Sequence, residues 1–546
     1  AFAYVTGCFP LGVAAEARQR VELDGFNLPK RPTIEFRTGQ SGELEVPLDP
    51  NRFRSRRTLN VVVDDTREFV EREPNNAPAQ AMKITVPCAV EGRIWAEGKG
   101  ASNDVDLFRF DARADQTWII ETQAARRGSP LDTKIEVLHP DGRPVERAQL
   151  QAVRDSAVTF RGFDSNGTGA RLENWGEMDL DEYVYFQGDV ARIARMPQGP
   201  DSDMLFYSAS GKRRAYFGTT ATAHALDEPC YVVIPRPPGA RLVPNGLPVF
   251  PVYYANDDDG ERQLGTDSRL RFIAPRDGAY LIRVSDARGY SGERFAYRLV
   301  LRQAHPDFRV TLSAKNLTVN RGSGRSFAVN AERLDGFEDE IRVDLDGFPP
   351  GFHASTPLVI QAGQTSAEGT LNAAQDAPTP GKTAWAKIRV VAAASLDGKR
   401  VTHAVDGFEE INLEPAPKLF VGLEPTSVTN RVFVPSANAT PPLEIAIAPG
   451  QSVPAWLRVK RNGYDDLITF TVENLPHGVI VDNIGLNGVL IPKGQNEREI
   501  FLTAAKWVPE TDRLCFAVES QAGRQTSLPV WLHVRRATLT AATRTR

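Results

Sequence analysis

Two short stretches of this chain bring oxygen-bearing side chains within reach of one another. Glu71, Glu73 and Asn75 lie in Arg-Glu-Phe-Val-Glu-Arg-Glu-Pro-Asn-Asn, and Asp104 and Asp106 in Ser-Asn-Asp-Val-Asp-Leu-Phe-Arg-Phe. In an extended chain alternate residues share a face, so each stretch presents its oxygens on one side. Hard oxygen donors meeting from two stretches form the kind of set that holds calcium. A solvated acidic surface is the alternative, since charge clusters are usually only that. Oxygen sites lack a spacing as diagnostic as that of paired cysteines, so spacing leaves both readings open.

Other chemistry is thinly represented. Covalent catalysis needs an activated Ser, Cys or Thr beside a base, and there is no Gly-x-Ser-x-Gly elbow, no His-Glu-x-x-His helix and no phosphate-cradling glycine loop. The seven histidines, at 139, 224, 305, 353, 403, 477 and 533, are scattered. His224-Ala-Leu-Asp227-Glu228-Pro-Cys230 gathers four potential ligands, but one stretch seldom supplies convergent geometry, and a polar turn is the preferred reading. Asp179, Asp181, Glu182, Asp201 and Asp203 offer carboxylates that, if paired across a gap, would suit glycoside hydrolysis; surface acids are the commoner explanation. Trp175, Tyr183, Tyr185, Tyr207 and Tyr216 are candidate partner contacts. Tyr183 and Tyr185 share one strand face, with Val184 and Phe186 on the other. An exposed Tyr face beside Trp175 would stack sugars or grip a protein; otherwise these rings fill a small core. Gly211-Lys-Arg-Arg214 reads as a basic turn, too short to argue for nucleic acid.

The elements that must position these groups are strands. The chain has 546 residues, enough for about three to four domains. Gly 43 and Pro 39 against Met 4 fit a turn-rich β protein. A net charge of −4 is too balanced to argue for nucleic acid or an anionic membrane. No run of about twenty apolar residues is present. Cys8, Cys88, Cys230 and Cys515 are widely separated and follow no zinc spacing; four buried free thiols are expected, and they do not fix a compartment. The chain opens Ala-Phe-Ala-Tyr-Val, as a removed signal peptide or a trimmed larger protein would leave it. The last ten residues lack apolar periodicity and are expected to fray.

One family resemblance runs through the middle of the chain. Glu-Pro-Asn-Asn, Asp-Val-Asp-Leu-Phe-Arg-Phe, Gly128-Ser-Pro-Leu-Asp132, Asn256-Asp-Asp-Asp259-Gly and Ala274-Pro-Arg-Asp277-Gly278-Ala-Tyr280 resemble the bacterial pre-peptidase C-terminal (PPC) domain, a β-sandwich related to the collagen-binding domains of clostridial collagenases. The resemblance implies calcium ligation by Glu71, Glu73, Asn75, Asp104 and Asp106. Asn76 stands where some relatives carry Asp, which removes a charge and should weaken the site. PPC domains are accessory modules, so binding or export is implied.

The fold expected is all-β, a series of tandem β-sandwich domains. Residues 1–66 alternate polar and apolar, and Gly25-Phe-Asn-Leu28 resembles the IPT/TIG immunoglobulin-like group; so small a unit is expected to lean on its neighbour. Residues 67–304 form the PPC-like sandwich, interrupted at about 150–250 by a strand-rich insertion at a loop tip. Residues 305–415 and 416–546 are related by an internal repeat and resemble bacterial immunoglobulin-like domains. Arg333-Leu-Asp-Gly336 to Pro-Pro-Gly351 recurs as Arg461-Asn-Gly463 to Pro-His-Gly478, and Ile360-Gln-Ala-Gly-Gln364 recurs as Ile491-Pro-Lys-Gly-Gln495. The function expected is non-catalytic: an extracellular, cell-surface or periplasmic protein that binds a cell-envelope glycan or a secreted or surface protein, with calcium as its one cofactor. A glycan hydrolase with its site in the insertion is the second reading. A self-assembling subunit of an envelope array is the third, because sheet edges pair with neighbouring chains.

Overall fold

The computed structural model describes residues 3–29, 32–95, 104–197, 199, 201–381, 383–428, 442–482 and 488–536. The expectation that the last ten residues fray lies outside them. Among the described residues the protein is all-β, with four short 3-10 turns as its only helical elements. None of the described helices is long and apolar enough to cross a membrane. Contacts divide the chain into two compact units, Ala1–Ala304 and His305–Arg546.

Among the described residues the first unit holds three larger cores and two smaller apolar clusters. Residues 3–64 pack a four-stranded sheet on a three-stranded one around Val5, Val21, Leu23, Val61 and Val63. A sandwich of two five-stranded sheets follows. Its strands obey a period of two: Phe108, Phe110 and Ala112 of Asp106–Ala112 point inward, as do Tyr280, Ile282 and Val284 of Gly278–Asp286, and the two strands pair antiparallel. The small N-terminal module is locked to this sandwich through Arg298. That guanidinium is fully buried and ion-pairs with Asp64 at 2.8 Å, Glu68 at 3.0 Å and Glu91 at 2.5 Å, while Glu91 also accepts from the backbone of Leu11. Burial outweighs Arg298 at Glu91, pushing its carboxyl up to about 7.

The insertion is a closed barrel. Strands Glu146–Thr159, Gly169–Leu172, Met204–Phe206, Asp189–Arg195, Tyr183–Phe186 and Pro229–Arg236 pair in that order, and the last pairs back with the first. Closure leaves no free edge in the ring. Val184, Phe186, Phe206, Cys230 and Val232 fill the interior. Val249–Tyr253 adds to the outside of the long first strand.

The second unit contains two sandwiches. One core runs from Phe308 to Ile411 and the other from Leu419 to Val534. Corresponding arginines do the same work in each. Arg333 donates to the carbonyls of Asp339, Gln361 and Gln364, and Arg461 to those of Tyr464, Asp466, Pro492 and Gln495. The short strand Gln525–Thr526 pairs with both Thr511–Glu519 of the second sandwich and Gly324–Leu334 of the first, joining them into one sheet. All four cysteines are buried and free.

Candidate metal centre

The strand Glu68–Val70 ends one residue before Glu71, so Glu71, Glu73 and Asn75 do not share the face of a strand. A bend at Glu73 gathers them instead. Both ends of this loop are pinned by backbone. Glu71 N–H donates to the Glu91 carbonyl at 2.9 Å, and Leu107 N–H donates to the Asn75 carbonyl at 3.1 Å. The second bond brings the loop against the start of Asp106–Ala112, where Asp104 and Asp106 are both buried.

Carboxylate oxygens of Glu71, Glu73 and Asp106 lie within 4.8 Å of one another, the only such ligand group among the described residues. The other two candidates adjoin them. Asn75 donates from its backbone to Glu73 at 3.1 Å and from its amide to Glu71 at 3.4 Å. Asn76 donates its amide to Asp104 at 2.6 Å. Glu71 accepts from the Arg93 backbone at 2.7 Å, and the buried Tyr297 hydroxyl donates to Asp106 at 2.5 Å.

Electrostatically the cluster is short of positive charge. Burial pushes the Glu71 carboxyl up to about 7 against the help of the Arg93 amide, and the negative charges of Glu73 and Asp104 push the same way. Asp106 is raised well above the carboxylate range, by burial first and then by Glu71. Buried oxygens of the cluster, among them Asn75 Oδ1, Asn76 Oδ1 and Asp106 Oδ1, accept no hydrogen bond. A buried unsatisfied acceptor costs about 1–3 kcal/mol, and a bound cation would satisfy several at once. The donor set is entirely oxygen, which fits calcium, a hard cation taking six to eight such ligands.

The remaining candidates do not converge. Asp203 is held by Arg161 at 2.6 Å and Arg171 at 3.2 Å. Asp181 pairs with Arg192 at 2.9 Å, Glu182 with Arg154, and Asp179 and Asp201 are exposed. Of the five aromatic candidates, Tyr183, Tyr207 and Tyr216 gather near Arg192, whose guanidinium lies 5.6 Å from the Tyr183 ring and 5.2 Å from that of Tyr207. Tyr207 is buried and donates to Asp181. Tyr185 stacks on Phe250 at 4.1 Å, and Trp175 packs against the barrel interior, so the set is not one surface.

Within the insertion the sequence reading missed a buried network. Arg213, read as part of a basic turn, is fully buried because it ion-pairs with Asp189 at 2.6 Å and donates to the carbonyls of Asp164, Gly167 and Thr222. His224 reaches Asp189 through Nε2 at 3.2 Å and Glu228 through Nδ1 at 2.8 Å. Both its ring nitrogens are thus engaged inside the protein. Asp227 is exposed and Cys230 faces the barrel core, so the four potential ligands do not meet. Asp189 lies 24 residues from Arg213 and 35 from His224, separations that no local pattern marks.

No family model matches the chain, and no curated protein matches it. Solved structures overlap parts of it. The D0-D1 domain of intimin is 12% identical, covering 41% of this chain and 97% of its own, with a TM-score of 0.15. Fibronectin(III)-like modules of Clostridium thermocellum CbhA are 13% identical, covering 44% and 100%, with a TM-score of 0.14. Domains 4-9 of the surface layer protein SbsC are 13% identical, covering 50% and 37%, with a TM-score of 0.16. At TM-scores this low, nothing about this chain follows from them.

Proposed function

We propose that this chain is a non-catalytic, exported or cell-surface binding and assembly protein whose PPC-like sandwich is stabilised by calcium. The observation that carries the reading is the oxygen cluster of Glu71, Glu73 and Asp106, with the unsatisfied oxygens of Asn75, Asn76 and Asp106 around it. Glu71, Glu73, Asp104 and Asp106 supply charge, and Asn75 a neutral oxygen. Extracellular calcium modules bind at about 0.1–1 mM, which suits a protein working outside the cytoplasm. Calcium there ties the loop from Glu71 to Asn75 onto the strand Asp106–Ala112 of the sandwich. The arginine-held carboxylates of the insertion favour this reading over a glycan hydrolase. The Tyr183–Arg192–Tyr216 surface is the contact offered to a cell-envelope glycan or a secreted protein.

Ligand bound only by the folded state stabilises it, by about 1.4–2.7 kcal/mol at ten to a hundred times the dissociation constant. Thermal melting with 10 mM calcium against chelator should therefore show a clear rise in Tm, lost in Glu73→Ala. A flat response removes the calcium part of the reading. Binding to envelope glycans and purified secreted proteins, compared with Tyr183→Ala, checks the partner; turnover of a glycan by the purified chain would sink the non-catalytic part.

A further inference from the structure

The small N-terminal module turns one face of its four-stranded sheet toward the sandwich. Strand alternation sends Val5, Val21, Leu23 and Phe53 into the module's own core. Register then sets three rows on the opposite face: Phe26, Tyr4 and Arg54; Asp24 and Gly7; Glu22 and Phe9. Gly7, which has no side chain, and Asp24 form one wall of a crevice of about 260 Å³, open mouth included. Its other wall is Gly128, Pro130 and Arg294 of the sandwich.

The inner end of this face is already satisfied. Arg93 ion-pairs with Glu22 and with Asp24, each at 3.4 Å, and lies over the Phe9 ring, 4.1 Å from its centroid. Glu43 is taken by Arg127 at 2.6 Å. The row of Phe26, Tyr4 and Arg54 remains accessible, and Phe26 is 53% exposed.

Two guanidiniums reach this opening. Arg294 lies over the Phe26 ring, 4.7 Å from its centroid, and the Ser129 hydroxyl donates to the Arg294 carbonyl at 3.4 Å, tying its loop to the turn at Gly128. Arg57 comes from the loop after Phe53–Arg54. A Cβ on Gly128 would stand 3.7 Å from Arg57 Nη1, which places Arg57 at the same turn. Both side chains are exposed. Among the described residues neither forms an ion pair or a side-chain hydrogen bond, Arg294 not even with its chain neighbour Glu293. The loop adds to the excess: residues 50–63 carry Arg52, Arg54, Arg56 and Arg57 and no acid, in a chain whose net charge is −4.

We propose that this opening binds an acidic sugar of a glycan chain, with Phe26 and Tyr4 carrying the sugar ring and Arg57 and Arg294 taking its carboxylate. An aromatic ring offers an apolar face on which a sugar stacks, and the planar guanidinium fork pairs with a carboxylate bidentately. Joints between domains are preferred places for such sites. A peptide partner would need a strand edge to add to, and the edge here, Phe53–Arg54, is two residues long. The surface uses no residue of the oxygen cluster or of the insertion, so it stands or falls independently of the function proposed above.

The test is calorimetric titration of the full chain with an oligosaccharide of galacturonic acid, in calcium-free buffer at constant ionic strength. Its methyl ester is the uncharged control, and an oligoglutamate of equal length tests charge alone. Saturable binding of the acid form is expected, weakened about tenfold or more in Arg294→Gln, in Arg57→Gln and in Phe26→Ala. These side chains are exposed, so the variants should melt with the parent. The proposal is overturned by a lack of saturable binding, by equal affinity for the methyl ester or for oligoglutamate, or by undiminished binding in the arginine variants or in Phe26→Ala. Should Phe26→Ala not fold, the arginine variants and the oligoglutamate comparison decide.

Discussion

At the scale of single residues, the folded protein holds a proton it would lose on unfolding. Burial pushes the Glu71 carboxyl up to about 7 from an ordinary 4.5, and Asp106 is raised well above the carboxylate range by burial and by Glu71 itself. The folded state therefore binds protons more tightly than the unfolded one. This contribution is fully present below about pH 4.5 and is lost as pH rises through about 7. Glu91 and Glu368 are raised in the same way, so the cluster is isolated by comparison with a variant. Melting from pH 5 to 8 in chelator should show a steeper fall for the parent than for Asp106→Asn; equal slopes would place the raised carboxyls elsewhere. The oxygen types at 71, 73, 75, 104 and 106 were legible as candidate ligands because type and order are local. The bend at Glu73 that gathers them was not, since it depends on hydrogen bonds to Glu91 and to Leu107 from other strands.

At the scale of elements, period-two patterning made the strands readable. The Tyr183-Val-Tyr185-Phe alternation separated the two tyrosines from Val184 and Phe186, but only the structure shows that Val184 and Phe186 fill the barrel. Barrel closure was hidden, because it needs Val158 and Thr159 at the far end of a fourteen-residue strand to pair with Leu172 and Arg171. Charged residues doing buried work were equally hidden: nothing in the composition of Gly211-Lys-Arg-Arg214 separates a solvated arginine from one pinned by Asp189. Arg298, fully buried at the joint between the N-terminal module and the sandwich, makes the strongest element-scale prediction. Arg298→Met strands Glu91 in the interior and should cost about 3–5 kcal/mol in denaturant unfolding. A loss under about 1 kcal/mol, the range of exposed pairs, would mean the joint does not depend on this cluster.

At the scale of the whole molecule, the internal repeat announced two related sandwiches, and Arg333 and Arg461 carry that likeness into hydrogen bonds. The shared sheet was not legible, because the residues that join the sandwiches are small polar ones. Ser323 donates to Gln525 at 2.7 Å, Thr370 and Thr526 hydroxyls lie 2.5 Å apart, and all four are buried. Gly324 permits this contact, since a Cβ there would lie 2.2 Å from Asn372 Nδ2 and Thr526 Oγ1. Residues 305–536 should accordingly unfold in one calorimetric transition, which Gly324→Val splits in two; two transitions in the parent would contradict the shared sheet.

In the proposed function, calcium closes the loop from Glu71 to Asn75 onto the sandwich. Calcium titration of the parent and of Asp106→Asn, followed by melting, tests it most directly. The parent should gain stability with a midpoint near 0.1–1 mM calcium. Asp106→Asn, neutral without having to hold a proton, should start at an equal or higher Tm in chelator and gain nothing from calcium. A parent indifferent to calcium, or a variant that responds as the parent does, would contradict the account.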